Sequence, residues 1–250
     1  MNRVFVVSIV LALSFITTLI VAQDETPEVT GTPLISQTEA LDEPTPPDLT
    51  DDHHLQDVSL ITSDPCAAPC WRGITPGETE WEDALIILED DPALTDPALQ
   101  RDEESGAVVA EFQQIDSSIQ CCQIFSESGD LVDIIFLRLA PTRSVGEVIE
   151  AQGEPTYLVG SPFSEGQAIM NLVFIDVPMV VYAFIEGMTG ELTEESEIIG
   201  VLYLTETDME LLLQTTNLHE WEGYGMYEEY EQGAYEVTPS VTLTPVPSNG

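Results

Sequence analysis

The feature that most constrains this chain is a change of hydrophobic period, made twice. Behind Thr79, apolar residues recur at helical spacing, with Trp81, Ala84, Leu85 and Leu88 on one face. The pattern then shortens to the strands "AVVAEFQQ", "SIQCCQIF" and "LVDIIFLRL". A second helical segment behind Ser144, with Val145, Val148 and Ile149 inward, gives way to "TYLVG", "AIMNLVFI", "MVVYAFIE" and "IIGVLYL", after which Met209, Leu212 and Leu213 mark a third helix. Each helix opens on a capping-box signal, Thr79-x-x-Glu82, Ser144-x-x-Glu147 or Thr207-x-x-Glu210, in which a hydroxyl and a carboxylate satisfy free backbone N–H groups. Proline stops the first two helices, at Asp91-Pro92 and at Gly153-Glu154-Pro155. Helix then strands, twice over, predicts an α+β fold with short helices on one face of an antiparallel sheet. The pattern also admits two tandem repeats, over 74–140 and 141–205.

This core is expected over residues 57–236, between two segments of different composition. Arg3 precedes an uninterrupted apolar run from Val4 to Ala22. That is an export signal, and both a cleaved peptide ending near Ala22 and a retained membrane anchor fit its length. Residues 23–56 are a Thr-, Pro- and acid-rich spacer and residues 237–250 a Thr/Pro/Ser tail, neither with enough apolar groups to repay the entropy of ordering. The expected location is extracytoplasmic, either secreted or held at the membrane through the N-terminal segment alone.

Charge narrows the possible partners. The chain has 46 Asp and Glu against 5 basic residues, all arginine, for a formal net charge of -41. Such a surface repels phosphate backbones, so nucleic acid is excluded as a partner. It suits cationic partners, and it leaves weak calcium binding open at the acidic loops "EDDP" and "ELTEESE". Without lysine there is no Schiff-base chemistry and no P-loop. Of the three histidines, His53 and His54 fall in the spacer and His219 follows the last helix, where a capping interaction is the expected role. No nucleophile elbow accompanies His219, no EF-hand pattern occurs, and no cofactor is implied.

The cysteines Cys66, Cys70, Cys121 and Cys122 allow disulfides, a four-thiolate zinc site or a redox centre. Export favours disulfides, because thiols oxidise and stay oxidised outside the cytoplasm. The spacing of three residues beside a vicinal pair is poor zinc geometry, and no lysine or neighbouring histidine would lower a thiol pKa. Two long bridges joining Cys66 and Cys70 to Cys121 and Cys122 would restrict the unfolded chain most. In "PCAAPCWRGITPGETEW" the prolines stiffen such a staple and Trp71 packs over it. Downstream, "HEWEGYGMYEEYEQGAYE" offers Trp221, Tyr224, Tyr227, Tyr230 and Tyr235. Of these, Trp221, Tyr224 and Tyr227 are a candidate recognition surface. The plainer expectation is that Trp221 and Tyr224 close the core.

"GITPGETEWEDALIIL" and "TRSVGEVIEAQGEP" resemble the helix entries of beta-lactamase-inhibitor-protein-like and outer-membrane-assembly small-lipoprotein-like domains. The block from Pro65, with "WEGYGMY", is similar to a group of uncharacterised exported bacterial proteins bearing a PCW-x-G-I-T-P-G-x-T motif. The two resemblances span 65–227. They imply the same α+β class and carry over no catalytic residue. The expected function is an extracytoplasmic binding or interaction module for a protein or cell-envelope partner, rather than an enzyme. The alternative is a hydrolase of cell-surface polymers working through a carboxylate pair.

Overall fold

The structure, a computed structural model, describes residues 46–231, and its compact unit begins at Asp48. The export segment 1–22, the spacer up to residue 45, Tyr235 and the tail 237–250 lie outside the described residues. Along the chain come α1 (Ser59–Thr62), α2 (Trp81–Glu89), β1 (Ala98–Arg101), β2 (Val108–Phe112), β3 (Cys122–Ser126) and β4 (Ile134–Arg138). They are followed by α3 (Val145–Gln152), β5 (Tyr157–Ser164), β6 (Gln167–Phe174), β7 (Met179–Ile185), β8 (Glu191–Leu192) and β9 (Ile198–Leu204). The last elements are α4 (Glu206–Thr215), β10 (His219–Glu220), β11 (Gly225–Met226) and a 3-10 turn (Tyr227–Glu229).

Nine strands form one antiparallel sheet in the order β1-β2-β3-β4-β9-β7-β6-β5-β10. The predicted α+β class is therefore what folds, and the helix-then-strands recurrence is visible in it. From one edge the order runs β1 to β4. From the other, inside β10, it runs β5, β6, β7, β9, so the last strands of the two halves pair in the middle.

Strand alternation divides the apolar residues between two faces. On one face α1, α2 and α3 contribute Leu60, Trp81, Ala84, Leu88, Val145 and Val148, packed with Ile124, Ile135, Leu137, Met170, Leu172, Val181 and Tyr203. The other face belongs to α4. Its Met209, Leu212 and Leu213 pack with Ile134, Val173, Val180 and Leu204. All helices on one face is thus corrected: α4 follows directly on β9 and carries its own apolar stripe to the opposite side.

The capping signals fare unequally. Ser144 behaves as read, accepting from Glu147 N–H while the Glu147 carboxylate accepts from Ser144 N–H. Thr79 does not cap α2. Its hydroxyl accepts from Thr75 N–H at 2.8 Å, and Glu80 is the cap residue. The reason is local pairing: Glu80 bridges to Leu131 and Trp81 gives its N–H to the Asp130 carbonyl, which moves the cap position to Glu80, one residue past Thr79. On α4 the cap is Thr205 rather than Thr207, accepting from Asp208 N–H at 3.1 Å, because the helix starts as soon as β9 ends.

The folded unit also starts earlier than 57. Leu55 is 1% exposed, gives its N–H to the Arg138 carbonyl at 3.1 Å and accepts from Ala140 N–H. His54 beside it is equally buried. Residues 48–56, expected to be spacer, thus border the sheet through isolated buried side chains that carry no periodic signal. His219 does not cap a helix. It lies in β10, opposite Leu158, with its ring edge-on to Tyr230.

Candidate functional site

Two places gather the residues that sequence singled out. The first is built by the stretch from Pro65. Trp71 and Ile74 exchange both backbone hydrogen bonds, at 2.9 and 2.8 Å, closing a two-residue turn. Its central residues Arg72 and Gly73 have φ of +53° and +87°, the left-handed values that a type I′ turn demands. The turn sends the Trp71 ring into the core, fully buried, stacked on Phe112 with centroids 5.7 Å apart. The Trp71 indole Nε1 donates to Asp57 Oδ2 at 3.0 Å.

Arg72 stays at the wall of a cavity of about 430 Å³ lined by Asp57, Val58, Asp64, Pro65, Ile87 and Asp91, with Gln56 and Ser59. Its guanidinium lies 5.0 Å from the Trp71 ring centroid, pairs with Asp91 through Nη1, and has Asp57 3.9 Å from Nε. Burial pushes its pKa down from the ordinary guanidinium value, and the Asp57 charge opposes that shift. Asp57 also accepts from Ser59 N–H and Oγ, and Asp91 from Ala93 N–H. An acid-pair hydrolase needs two opposed free carboxylates. Of the three here, only Asp64 has no hydrogen bond or ion pair among the described residues.

All four cysteines are disulfide-bonded, so no thiolate is left to hold zinc or exchange electrons. The pairing, however, is Cys66–Cys70 and Cys121–Cys122, four and one residues apart, and not the long-range pairing expected. Short loops cost least entropy to close. Cys121 lies just before β3, outside its ladder, which removes the alternation that would have put the two side chains on opposite faces. The stretch from Pro65 is therefore a staple, held by one local bridge and by the burial of Trp71.

The second place lies beyond β10. Trp221 donates its backbone N–H to the Thr156 carbonyl at 3.0 Å and stands edge-to-face with Tyr224, centroids 5.6 Å apart. Trp221 is half-buried and Tyr224 is 42% exposed. Partial burial, and then Glu194, Glu195 and Glu154 in that order, raise the Tyr224 pKa, so the charges of two neighbouring carboxylates in the loop after β8 and of one just past α3 are felt at this ring. None of the three has an ion-pair partner among the described residues. Glu194 lies over the start of α3 because residue 146 is glycine: a Cβ there would collide with Glu194 Cγ.

Tyr227, expected on this surface, is not on it. It is fully buried against Gly160, where a Cβ would approach its Cε2 to 2.6 Å. Tyr227 and Tyr230 belong to the core, Trp221 packs partly against it, and Tyr224 is exposed, so the plainer expectation holds in part for Trp221 and fails for Tyr224. Neither acidic loop gathers three ligating groups among the described residues. The cluster that does is Asp51, Asp52 and His53, all within 4.8 Å of one another in a segment read as spacer. No helix among the described residues is long and apolar enough to cross a membrane. Comparison with protein-family models, curated proteins and solved structures found no match to this chain.

Proposed function

We propose that this chain is an extracytoplasmic binding module whose recognition surface is the Trp221–Tyr224 corner. The observation that carries the reading is an accessible edge-to-face aromatic pair that feels the charges of three carboxylates without counter-ions. A cation over an aromatic face is attracted by the ring quadrupole, and desolvation strengthens the effect. Carboxylates at the rim add Coulomb attraction and steer the approach. The partner is a protein or cell-envelope component that presents cationic groups. Four oxidised cysteines and the apolar N-terminal run support a location outside the cytoplasm. The resemblance of the PCW-x-G-I-T-P-G-x-T block to exported proteins points the same way.

The test is retention of envelope components by the immobilised chain at low and high salt, with Trp221→Ala alongside and a glycan-hydrolysis assay run in parallel. Retention that weakens with salt and drops at least about tenfold in Trp221→Ala supports the reading. Equal retention by both proteins contradicts it. Glycan turnover that is lost on replacing a pair of carboxylates would replace it with the hydrolase.

A further inference from the structure

The cavity beside Arg72 is separate in composition from the Trp221–Tyr224 corner and shares no residue with it. We propose that it is a second binding site, for an extended peptide segment carrying a lysine or arginine side chain. The peptide carbonyl would be held by Arg72, the side-chain cation by Asp64, and its aliphatic stem by Val58, Pro65 and Ile87.

The guanidinium supplies the polar half of this site. Arg72 is held on three sides, by the Trp71 ring, Asp91 and Asp57, and its backbone is fixed in the Trp71–Ile74 turn. Its Nη2 has no acceptor among the described residues, although the side chain is only 20% exposed. A fixed, partly desolvated donor at a cavity wall is a preorganised half of a hydrogen bond. Asp57 and Asp91 already balance its charge, so a neutral acceptor such as an amide carbonyl fits better than an anion. With Asp64 counted, the four charged side chains at the cavity sum to a net negative charge. That charge, within a chain of formal net charge -41, selects a cation for the remaining contact.

The walls decide the rest. Val58, Pro65 and Ile87 are aliphatic, and they match the methylene stem of a long basic side chain. A sugar would want an aromatic platform, and the nearest ring, Trp71, is fully buried.

The probe is N-acetyl-lysine N-methylamide, titrated into the oxidised protein and followed through the amide resonances of Asp64, Arg72 and Ile87. The uncharged N-acetyl-norleucine N-methylamide is run beside it. The expected result is saturable movement at these residues, at least about fivefold weaker for norleucine. Asp64→Asn should cost a similar factor, and Trp221→Ala should leave the titration unchanged. Asp64 has no hydrogen bond or ion pair to lose, so its variant keeps the test sound even where Arg72→Gln fails to fold. No movement, equal affinity for both probes, or Asp64→Asn without effect would overturn the proposal, as would the same movements produced by a neutral trisaccharide. Because Trp221→Ala and Asp64→Asn act on different sites, failure here is distinguishable from failure of the Trp221–Tyr224 reading.

Discussion

Trp71 and Trp221 are the same residue type in two aromatic stretches, and they do opposite things. Trp71 is fully buried, stacked on Phe112, and its indole N–H is satisfied by Asp57. Trp221 is fixed through its backbone to Thr156 and leaves its ring half outside, against Tyr224. What separates them is the chain around each. The type I′ turn at Arg72 and Gly73 turns the first ring inward, next to a carboxylate that meets its only polar atom. At the second, Tyr227 and Tyr230 fill the core, and Trp221 packs against it with only part of its ring. A tryptophan is a staple where its N–H finds a buried partner and a surface where neighbouring aromatics have already filled the space.

Trp71→Ala should be the largest disturbance, about 3–5 kcal/mol of lost stability by urea unfolding, because it removes a buried ring. It also leaves Asp57 one donor short. Gly160→Ala comes next. The new methyl meets the Tyr227 ring, and overpacking of this kind costs about 1–3 kcal/mol. If the unfolding midpoint does not move, Tyr227 is not the residue that closes the core.

Smaller effects separate real caps from apparent ones. Ser144→Ala should cost about 1 kcal/mol and Thr205→Ala about as much. Thr207→Ala should be near neutral, since its hydroxyl caps nothing.

The smallest effect is one of pH. Burial, with the Arg138 charge behind it, lowers the His54 pKa below its ordinary 6.5. Asp51 and Asp48 pull the other way more weakly. As pH falls through 6.5 the unfolded chain takes up a proton that native His54 refuses, so the unfolded state binds more protons and stability declines. His53 has the opposite sign: its hydrogen bond to Asp51, then the Asp52 charge, raises its pKa, so its contribution is present at low pH and lost as pH rises through the folded value. Urea midpoints at pH 7.5 and 5.5 should therefore differ less in His54→Gln than in the parent, and more in His53→Gln.

The sheet is legible in the amino-acid order wherever long strands alternate or run apolar, as around Ile135, Met170 and Val181, and proline marks the helix ends. β1 is not legible, because it is an edge strand whose four residues are all exposed, so no alternation marks it. The 48–56 segment escapes for a related reason: single anchors such as Leu55 leave no pattern in a polar sequence. Caps shift where backbone pairing sets the helix start, at Glu80 bridged to Leu131 and at the abrupt end of β9 at Leu204. Of the candidate surface, composition points to Trp221, Tyr224 and Tyr227 together. Only packing separates Tyr227, because the space it fills exists by virtue of a glycine far away in sequence.

The most direct test follows the indole N–H resonances of Trp71, Trp81 and Trp221 together while tetramethylammonium is added. An accessible ring pair that feels the charges of Glu154, Glu194 and Glu195 should bind the cation, so the Trp221 signal should move saturably and less at high salt. The signals of Trp71 and Trp81, both buried, should stay in place. A Trp221 signal that does not move, or three signals that drift together, would contradict the assignment of this corner as the recognition surface.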